Sequence, residues 1–420
     1  MKKIKDLMNH PLFSGSAIMF VGSMGANAIN YLYHLIMGRL LGPVEYGVLA
    51  SLYSIMYLIS IIPSSASVSI VKYISSSKST NVYSVYSEIN KFIFKISLTI
   101  SLLILFSSKV IASFLNIDNL LSIILLAPVL FLSLVTLVNQ ATSQGLIKFV
   151  GHIVPNLISS VFKLLLGIFF VYLGWSVAGA MFAVTIGALF AYFYSFNFIK
   201  KHISKTKLRK IDIMPFIRYS APVLLQSLAF TSIFTADVML VKHFLDPFSA
   251  GIYAALSTLG KIIFFATSPV TATMFPVISK RISLKQEYKK IFLLSLLATF
   301  AIAFVITCFY WIFPNIAIGV LYGREYLSAK TDLVWMGFFI LFYTLSNLIV
   351  NFFLSIGKLK IVIIPILAAL IQIVAIWTNH DSITEIIQIS FYTTLTMFIL
   401  LIVYTGYNLI YKLENYEPKD

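Results

Sequence analysis

Apolar stretches long enough to cross roughly 30 Å of hydrocarbon recur from one end of this 420-residue chain to the other. Inside a bilayer no water reaches the backbone, so an open strand would leave N–H and C=O groups unpaired, and helices are the span type that satisfies them. Twelve such stretches can be drawn, from about 12–37 to about 384–411. A hydrophobic share of 59%, 11% charged residues and a mean hydropathy of +0.94 exclude an ordinary soluble domain. The loops are too short for a folded extramembrane domain. The expectation is an all-α polytopic membrane protein.

The chain also repeats itself. Leu40-Leu41-Gly42-Pro43-Val44-Glu45-Tyr46-Gly47 returns as Phe244-Leu245-Asp246-Pro247-Phe248-Ser249-Ala250-Gly251, an offset of 204 that persists to Ile74-Ser75 and Ile278-Ser279. A second echo pairs Asn139, Gly145 and Lys148 with Asn351, Gly357 and Lys360 at an offset of 212. The most polar stretch, 200–213, separates the copies. The expected organisation is a six-helix lobe at 1–199, a basic linker at 200–213 and a second six-helix lobe at 214–420. An even number of spans per copy makes the repeat parallel, with a central cavity between the lobes.

The formal net charge of +16 invites a nucleic-acid reading, but its distribution argues for topology. With the N-terminus inside, the cytoplasmic segments hold Lys2, Lys3, Lys5, Lys72, Lys78, Lys91, Lys95, Lys148, the linker cations, Lys280, Arg281, Lys285, Lys289, Lys290, Lys358, Lys360, Lys412 and Lys419. The outer segments hold Arg39, Lys109, Lys242, Arg324 and Lys330. This bias places both termini in the cytoplasm, and no basic folded module exists to bind nucleic acid. The lone Cys308 gives neither a disulfide framework nor a cysteine metal site. The first apolar run is too long, and lacks the small-residue ending, for a cleaved signal peptide.

Charges that the spans cannot place in water are candidates for function: Lys163, Lys261 and Asp237, with Arg218 and Arg39 at the margins. A lysine at a helix centre costs about 2.5–3.5 kcal/mol on insertion scales, so it faces a cavity or a partner. Asn156, Ser160 and Lys163 share one helical face, as do Ser257, Lys261 and Ser268. Ser23, Asn27, Asn30 and His34 make a third stripe, and Gln226 and Asp237 stand three turns apart on a fourth. Substrate contact is therefore assigned to Lys163, Lys261, Asp237, Asn27, Asn30, Asn156, Gln226 and Arg39. Other readings stay open. The lysines can snorkel to an interface, Asp237 can neutralise Lys242 or Lys261, the Asn and Ser stripes can be interhelical glue, His34 reads as a packed interfacial ring, and Arg39 as an anchor at the outer mouth. Pro128, Pro155, Pro222, Pro269, Pro276 and Pro365 fall inside spans and could kink them.

No G-x-x-x-x-G-K-[ST], H-E-x-x-H or G-x-S-x-G motif and no Cys/His cluster occurs. Acidic residues are scarce, and none pair in a large outer loop. No enzyme, metal or cofactor is expected.

The stretch Gly38–Gly47, together with Ala236-Asp237-Val238-Met239-Leu240 and the Pro247–Gly251 turn, resembles polysaccharide-biosynthesis flippases of the multidrug/oligosaccharidyl-lipid/polysaccharide exporter superfamily. The resemblance covers nearly the whole chain. It implies a flippase that moves polyprenyl-pyrophosphate-linked oligosaccharide to the outer leaflet by alternating access, for a surface polysaccharide such as an O-antigen. It further implies that Lys163 and Lys261 hold the pyrophosphate, with lysines where many relatives have arginines. The implied partners are the lipid-linked oligosaccharide, membrane lipids and polysaccharide assembly enzymes, with the chain a monomer. Drive would come from the membrane potential, or from a proton or sodium ion at Asp237. The alternatives are a multidrug or cation exporter of the same superfamily, which would want an anionic cavity, and a polymerase or ligase, which would want a large outer loop.

Overall fold

The computed structural model describes the backbone of residues 11–76, 82–203, 214–284 and 286–407. The expected linker from 204 onward lies outside the described residues, as do Lys2, Lys3, Lys5, Lys78, Lys285, Lys412, Lys419 and the side chain of Arg218. All regular structure in the described residues is helical, and ten of their helical segments are long and apolar enough to cross a membrane. The chain is a multi-pass membrane protein.

The chain divides into two compact units, Met1–Leu224 and Leu225–Asp420. The first unit holds α1 (Pro11–Ser76), α2 (Val82–Phe106), α3 (Leu126–Gly145), α4 (Phe149–Phe170) and α5 (Ser176–His202). Helix α1 has 66 residues, about 100 Å if straight, far more than one crossing. It breaks at Gly42, whose φ of 69° and ψ of 175° suit a residue without Cβ. The arms on either side then fold on each other: the His34 and Tyr53 rings lie 4.6 Å apart and those of Tyr33 and Tyr53 6.0 Å. Helices α4 and α5 form a second hairpin through Val171–Trp175, turning at Gly174 (φ 85°) and Ser176 (φ 47°).

Small residues let this hairpin close. A Cβ on Gly151 would lie 2.3 Å from Phe198, one on Gly187 2.8 Å from the Ser159 carbonyl oxygen, and one on Gly179 2.9 Å from Phe170. The pairings run in opposite directions along the chain, so α4 and α5 are antiparallel. The first arm of α1 packs on α4 in parallel, since Gly22 meets Ile153, Gly25 meets Leu157 and Gly167 meets Tyr33. With lipid tails as apolar as leucine, close approach of this kind rather than hydrophobic burial drives membrane helices together.

The second unit takes in α6 (Met214–Phe244) from Leu225, then α7 (Pro247–Ser283), α8 (Lys289–Ile312), α9 (Asp332–Ser355), α10 (Ile363–Thr378) and α11 (Ile383–Tyr407). Its centre is α9, buried on nearly every face through Met336, Phe339, Ile340, Tyr343, Leu348 and Phe352. In the first unit α3 plays the same part, buried through Leu130, Leu134, Val138, Asn139 and Thr142.

The 204-residue offset has a backbone meaning. Gly42-Pro43 is the break inside α1, and Asp246-Pro247 is the break between α6 and α7, with Pro247 in the first helical turn. In the second copy the Asp246 carboxylate caps α7, accepting from the N–H groups of Phe248 at 2.9 Å and Ser249 at 3.0 Å.

The 212-residue echo is corrected by the structure. Two residues past the end of α3 Ile147 stands at φ 59°, and two past the end of α9 Gly357 stands at φ 78°. The Lys148 N–H bonds to the Ser143 carbonyl at 2.8 Å, and the Lys358 N–H to the Phe353 carbonyl at 2.9 Å. The turns therefore correspond at an offset of 210. Gly145 matched Gly357 by residue type, but it is still helical; the left-handed position in the first copy is filled by an isoleucine.

Pro155, Pro269 and Pro276 lie inside helices, as expected, whereas two others do not interrupt theirs. Pro128 and Pro365 occupy the first turns of α3 and α10, where a missing N–H costs no helical hydrogen bond. The sharp breaks in α1 and between α4 and α5 fall at Gly42 and Gly174 instead.

Candidate functional site

Each unit holds a lysine ammonium against the helix that opens it. In the first unit Lys163, on α4, is only 7% exposed. Its Nζ donates to Asn30 Oδ1 at 2.6 Å, and Ser160 Oγ, one turn away, donates to the same oxygen at 3.1 Å. The Nζ also stands 4.6 Å from the Tyr33 ring centre and 5.4 Å from that of Tyr53, within cation–π range. The parallel packing of α1 on α4 sets Asn30 level with Ser160 and Lys163, and Gly167 leaves the room that Tyr33 fills.

In the second unit Asp237, on α6, is fully buried. Its Oδ2 accepts from the Tyr253 hydroxyl at 2.6 Å and its Oδ1 from the Val238 N–H at 2.8 Å. Lys261, on α7, holds its Nζ 4.7 Å from the centre of the Phe234 ring, one turn before Asp237 on α6. Beside them Gln372 on α10 donates to Ser390 Oγ on α11 at 2.8 Å and to the Ile233 carbonyl at 3.3 Å.

Of the residues marked in the sequence, the structure brings together Asn30, Ser160 and Lys163; Asp237 is held by Tyr253 and Val238, and Lys261 lies against Phe234, one turn before Asp237 on α6. Asn27 is exposed, three residues from Asn30. Asn156 is exposed two turns before Lys163 and accepts from Gln140 Nε2 at 2.7 Å. Arg39 is exposed close to the Gly42 break, nine residues and roughly 13 Å along α1 from Asn30. Gln226 is half-buried, about 16 Å along α6 from Asp237. Neither joins a lysine cluster. His34 packs edge-on against Tyr33, Tyr46 and Tyr53. Among the described residues no group of three or more His, Cys, Asp or Glu side chains could hold a metal ion.

Tyr33, Tyr53 and Tyr253 were missed from the sequence. In a chain that is 15% aromatic a single tyrosine carries no signal. The available clue was spacing, since Tyr33 lies three residues from Asn30 on the same face.

Chemically, an ammonium has three N–H donors. One amide oxygen and two ring faces compensate Lys163 only in part, because none carries a formal negative charge.

Residues 36–331 match the model of a family described as polysaccharide biosynthesis protein. No curated protein matches the sequence. The fold is shared with the lipid II flippase MurJ in an inward closed conformation (TM-score 0.75, 13% identity, 93% of this chain and 87% of that one). It is shared too with a multidrug resistance MATE family transporter of the MOP superfamily in an inward-facing conformation (TM-score 0.69, 13% identity, 91% and 96%). A third likeness is to a MOP superfamily transporter from Pyrococcus furiosus, described as having a binding pocket of reverse polarity (TM-score 0.61, 14% identity, 97% and 98%).

Proposed function

The chain belongs to the polysaccharide biosynthesis protein family, and on that premise we propose that it flips a polyprenyl-pyrophosphate-linked oligosaccharide across the cytoplasmic membrane by alternating access. One observation carries the reading: a lysine is held inside the apolar bundle of each unit, Lys163 in the first and Lys261 in the second. A pyrophosphate bearing hydrophilic sugars cannot cross hydrocarbon unaided. Fixed cations in a low-dielectric bundle offset its charge far better than they would in water. On this reading no bond is made or broken, so the protein is a transporter rather than an enzyme.

The positive-inside pattern supports cytoplasmic termini, and a monomer suffices because one chain supplies both units. Assembly enzymes for a surface polysaccharide would consume the flipped lipid. Drive comes from the membrane potential, about 2.3 kcal/mol per charge per 100 mV, or from a proton or sodium ion at Asp237.

A second reading, a cation exporter of the same fold, is favoured by the buried carboxylate of Asp237. Its interaction with Lys261 weighs against that. The deciding experiment is leaflet transfer of a fluorescent polyprenyl-pyrophosphate oligosaccharide in liposomes, comparing intact protein with Lys163→Ala/Lys261→Ala. Transfer that collapses in the folded double variant supports the flippase. Absence of transfer by intact protein, with efflux of cationic dyes in its place, moves the chain to the exporters.

A further inference from the structure

The turns that follow α3 and α9 correspond at an offset of 210, and the next helices keep that offset, since Pro155 on α4 matches Pro365 on α10. Along it Gln140, His152 and Asn156 of the first unit fall on Val350, Val362 and Ile366 of the second. The same positions are thus filled by apolar side chains in one copy, Val350 among them fully buried, and by polar ones in the other. A polar side chain inside a span is costly, and the second copy folds without these three. The first keeps them for something other than closing α3 on α4.

The three are joined through Gln140. Its backbone carbonyl takes a hydrogen bond from His152 Nδ1 at 3.2 Å, and its side-chain Nε2 donates to Asn156 Oδ1 at 2.7 Å. A carbonyl can only accept, so Nδ1 carries the proton and the neutral ring offers Nε2 as an acceptor. The Asn156 oxygen is engaged by Gln140, so this exposed amide offers its N–H groups outward. His152 and Asn156 stand one turn apart on α4 and share a face with Lys163, seven residues beyond Asn156. An acceptor and a donor at that spacing, without charge, match the neighbouring hydroxyls of a sugar ring, each of which both donates and accepts. Asn27 on α1 lies between this pair and Lys163, at about the level of Ser159, by the pairings of Gly22 with Ile153 and Gly25 with Leu157.

We propose that His152 and Asn156, both set in place by Gln140, form a subsite for a neutral sugar of the substrate, about 10 Å (Asn156) and about 16 Å (His152) along α4 from Lys163. The subsite rests on the flippase reading and adds to it the residues that sense the glycan rather than the phosphate. Gln140 is the positioning residue: it touches no substrate and fixes the ring and the amide that do. Binding is by hydrogen bonds alone, so no group is transferred.

The test compares two affinities within each protein, titrated into the full chain in nanodiscs. One set of probes is geranylgeranyl pyrophosphate linked to glucose, galactose or N-acetylglucosamine. The reference is its methyl ester, which has the same charge and no sugar. The readout is the ratio of sugar-linked to methyl-ester affinity, which a merely structural role would leave alone; monodisperse elution checks folding. Intact protein is expected to prefer at least one sugar-linked probe about tenfold. Gln140→Val and His152→Val, which install the residues of the second unit, are each expected to reduce that ratio about threefold or more, and together to bring it close to one. Should either fail to fold, Asn156→Ala truncates an exposed side chain and is expected to reduce the ratio likewise. Intact protein that binds the methyl ester with no preference for any sugar overturns the subsite and spares the flippase. A preference that survives in the folded variants overturns it as well. Intact protein that binds none of the probes overturns both readings.

Discussion

The hydroxyl of Ser176 donates to a carboxylate oxygen of Glu45 at 2.7 Å and ties together the two turns of the first unit, one at Gly42 and one at Gly174. Ser176 sits at φ 47° and ψ −138°, a conformation that disfavours any residue with a Cβ. The hydrogen bond to a charged acceptor offsets that strain.

Glu45→Ala should therefore lower stability by about 1.5–3 kcal/mol, the range for a hydrogen bond to a charged group. Ser176→Ala should lose the bond and keep the strain, whereas Ser176→Gly loses the bond and relieves the strain. Thermal melts in detergent should rank Ser176→Gly above Ser176→Ala. The reverse order would show that the backbone at residue 176 carries no strain for a residue with a Cβ to pay.

Lys163→Met is expected to hold or raise stability, by about 1–2 kcal/mol, because it replaces a buried charge that has no acid partner. The same variant should fail to move the lipid-linked oligosaccharide. Stability gained with activity lost identifies a side chain kept for its charge; a large drop in melting temperature would mark Lys163 as structural.

Gly187→Ala places a Cβ 2.8 Å from the Ser159 carbonyl oxygen and 3.4 Å from the Lys163 backbone nitrogen. Both neighbours are main-chain atoms, so no side chain can swing aside. A loss of about 1–3 kcal/mol is expected from overpacking. Transport should fall even where folding survives, because α4 carries Lys163. Melting and leaflet transfer measured on the same preparation test both halves of this expectation.

Asp246 is exposed, and hydrogen bonds from the Ser249 hydroxyl and N–H, with that of Phe248, hold its carboxyl below the usual value of 3.8. A lowered pKa means that the cap stabilises the fold above the unfolded-state value and loses that contribution as pH falls through the folded-state value. Asp246→Ala should cost about 1 kcal/mol near neutral pH. The gap from intact protein should close only below pH 4, and Asp246→Asn, which keeps the cap without the charge, should show no such closing. A constant gap down to pH 3 would refute the assignment.

What could be read from the chain beforehand follows from how local each cause is. Membrane helices were legible because bilayer thickness imposes a length on every apolar run. The repeat was legible around Pro43 and Pro247 because proline needs a particular backbone position after a turn. It misled around Gly145 because the eye matched glycine to glycine while the fold matched φ to φ, with Ile147 in the left-handed place. Lys163, Lys261 and Asp237 stood out as charges in apolar surroundings. Which neutral groups would meet them depended on α1 and α4 running in parallel, and no single stretch of sequence encodes that. Arg39 and Gln226 shared the polarity of the site but not its level along the helix.

The enclosed central helices bear on how the chain is made. Because α3 is surrounded by helices of its own unit, the helices that enclose it have all been made before synthesis passes residue 224. The remaining stretch of roughly 200 residues takes about 10–40 s to translate at 5–20 residues per second. During that interval α3 already has its neighbours, while the nascent spans of the second unit still await α9. Errors in biogenesis should therefore concentrate in the second half, and a quality-control protease that meets a stalled chain would find α3 already enclosed.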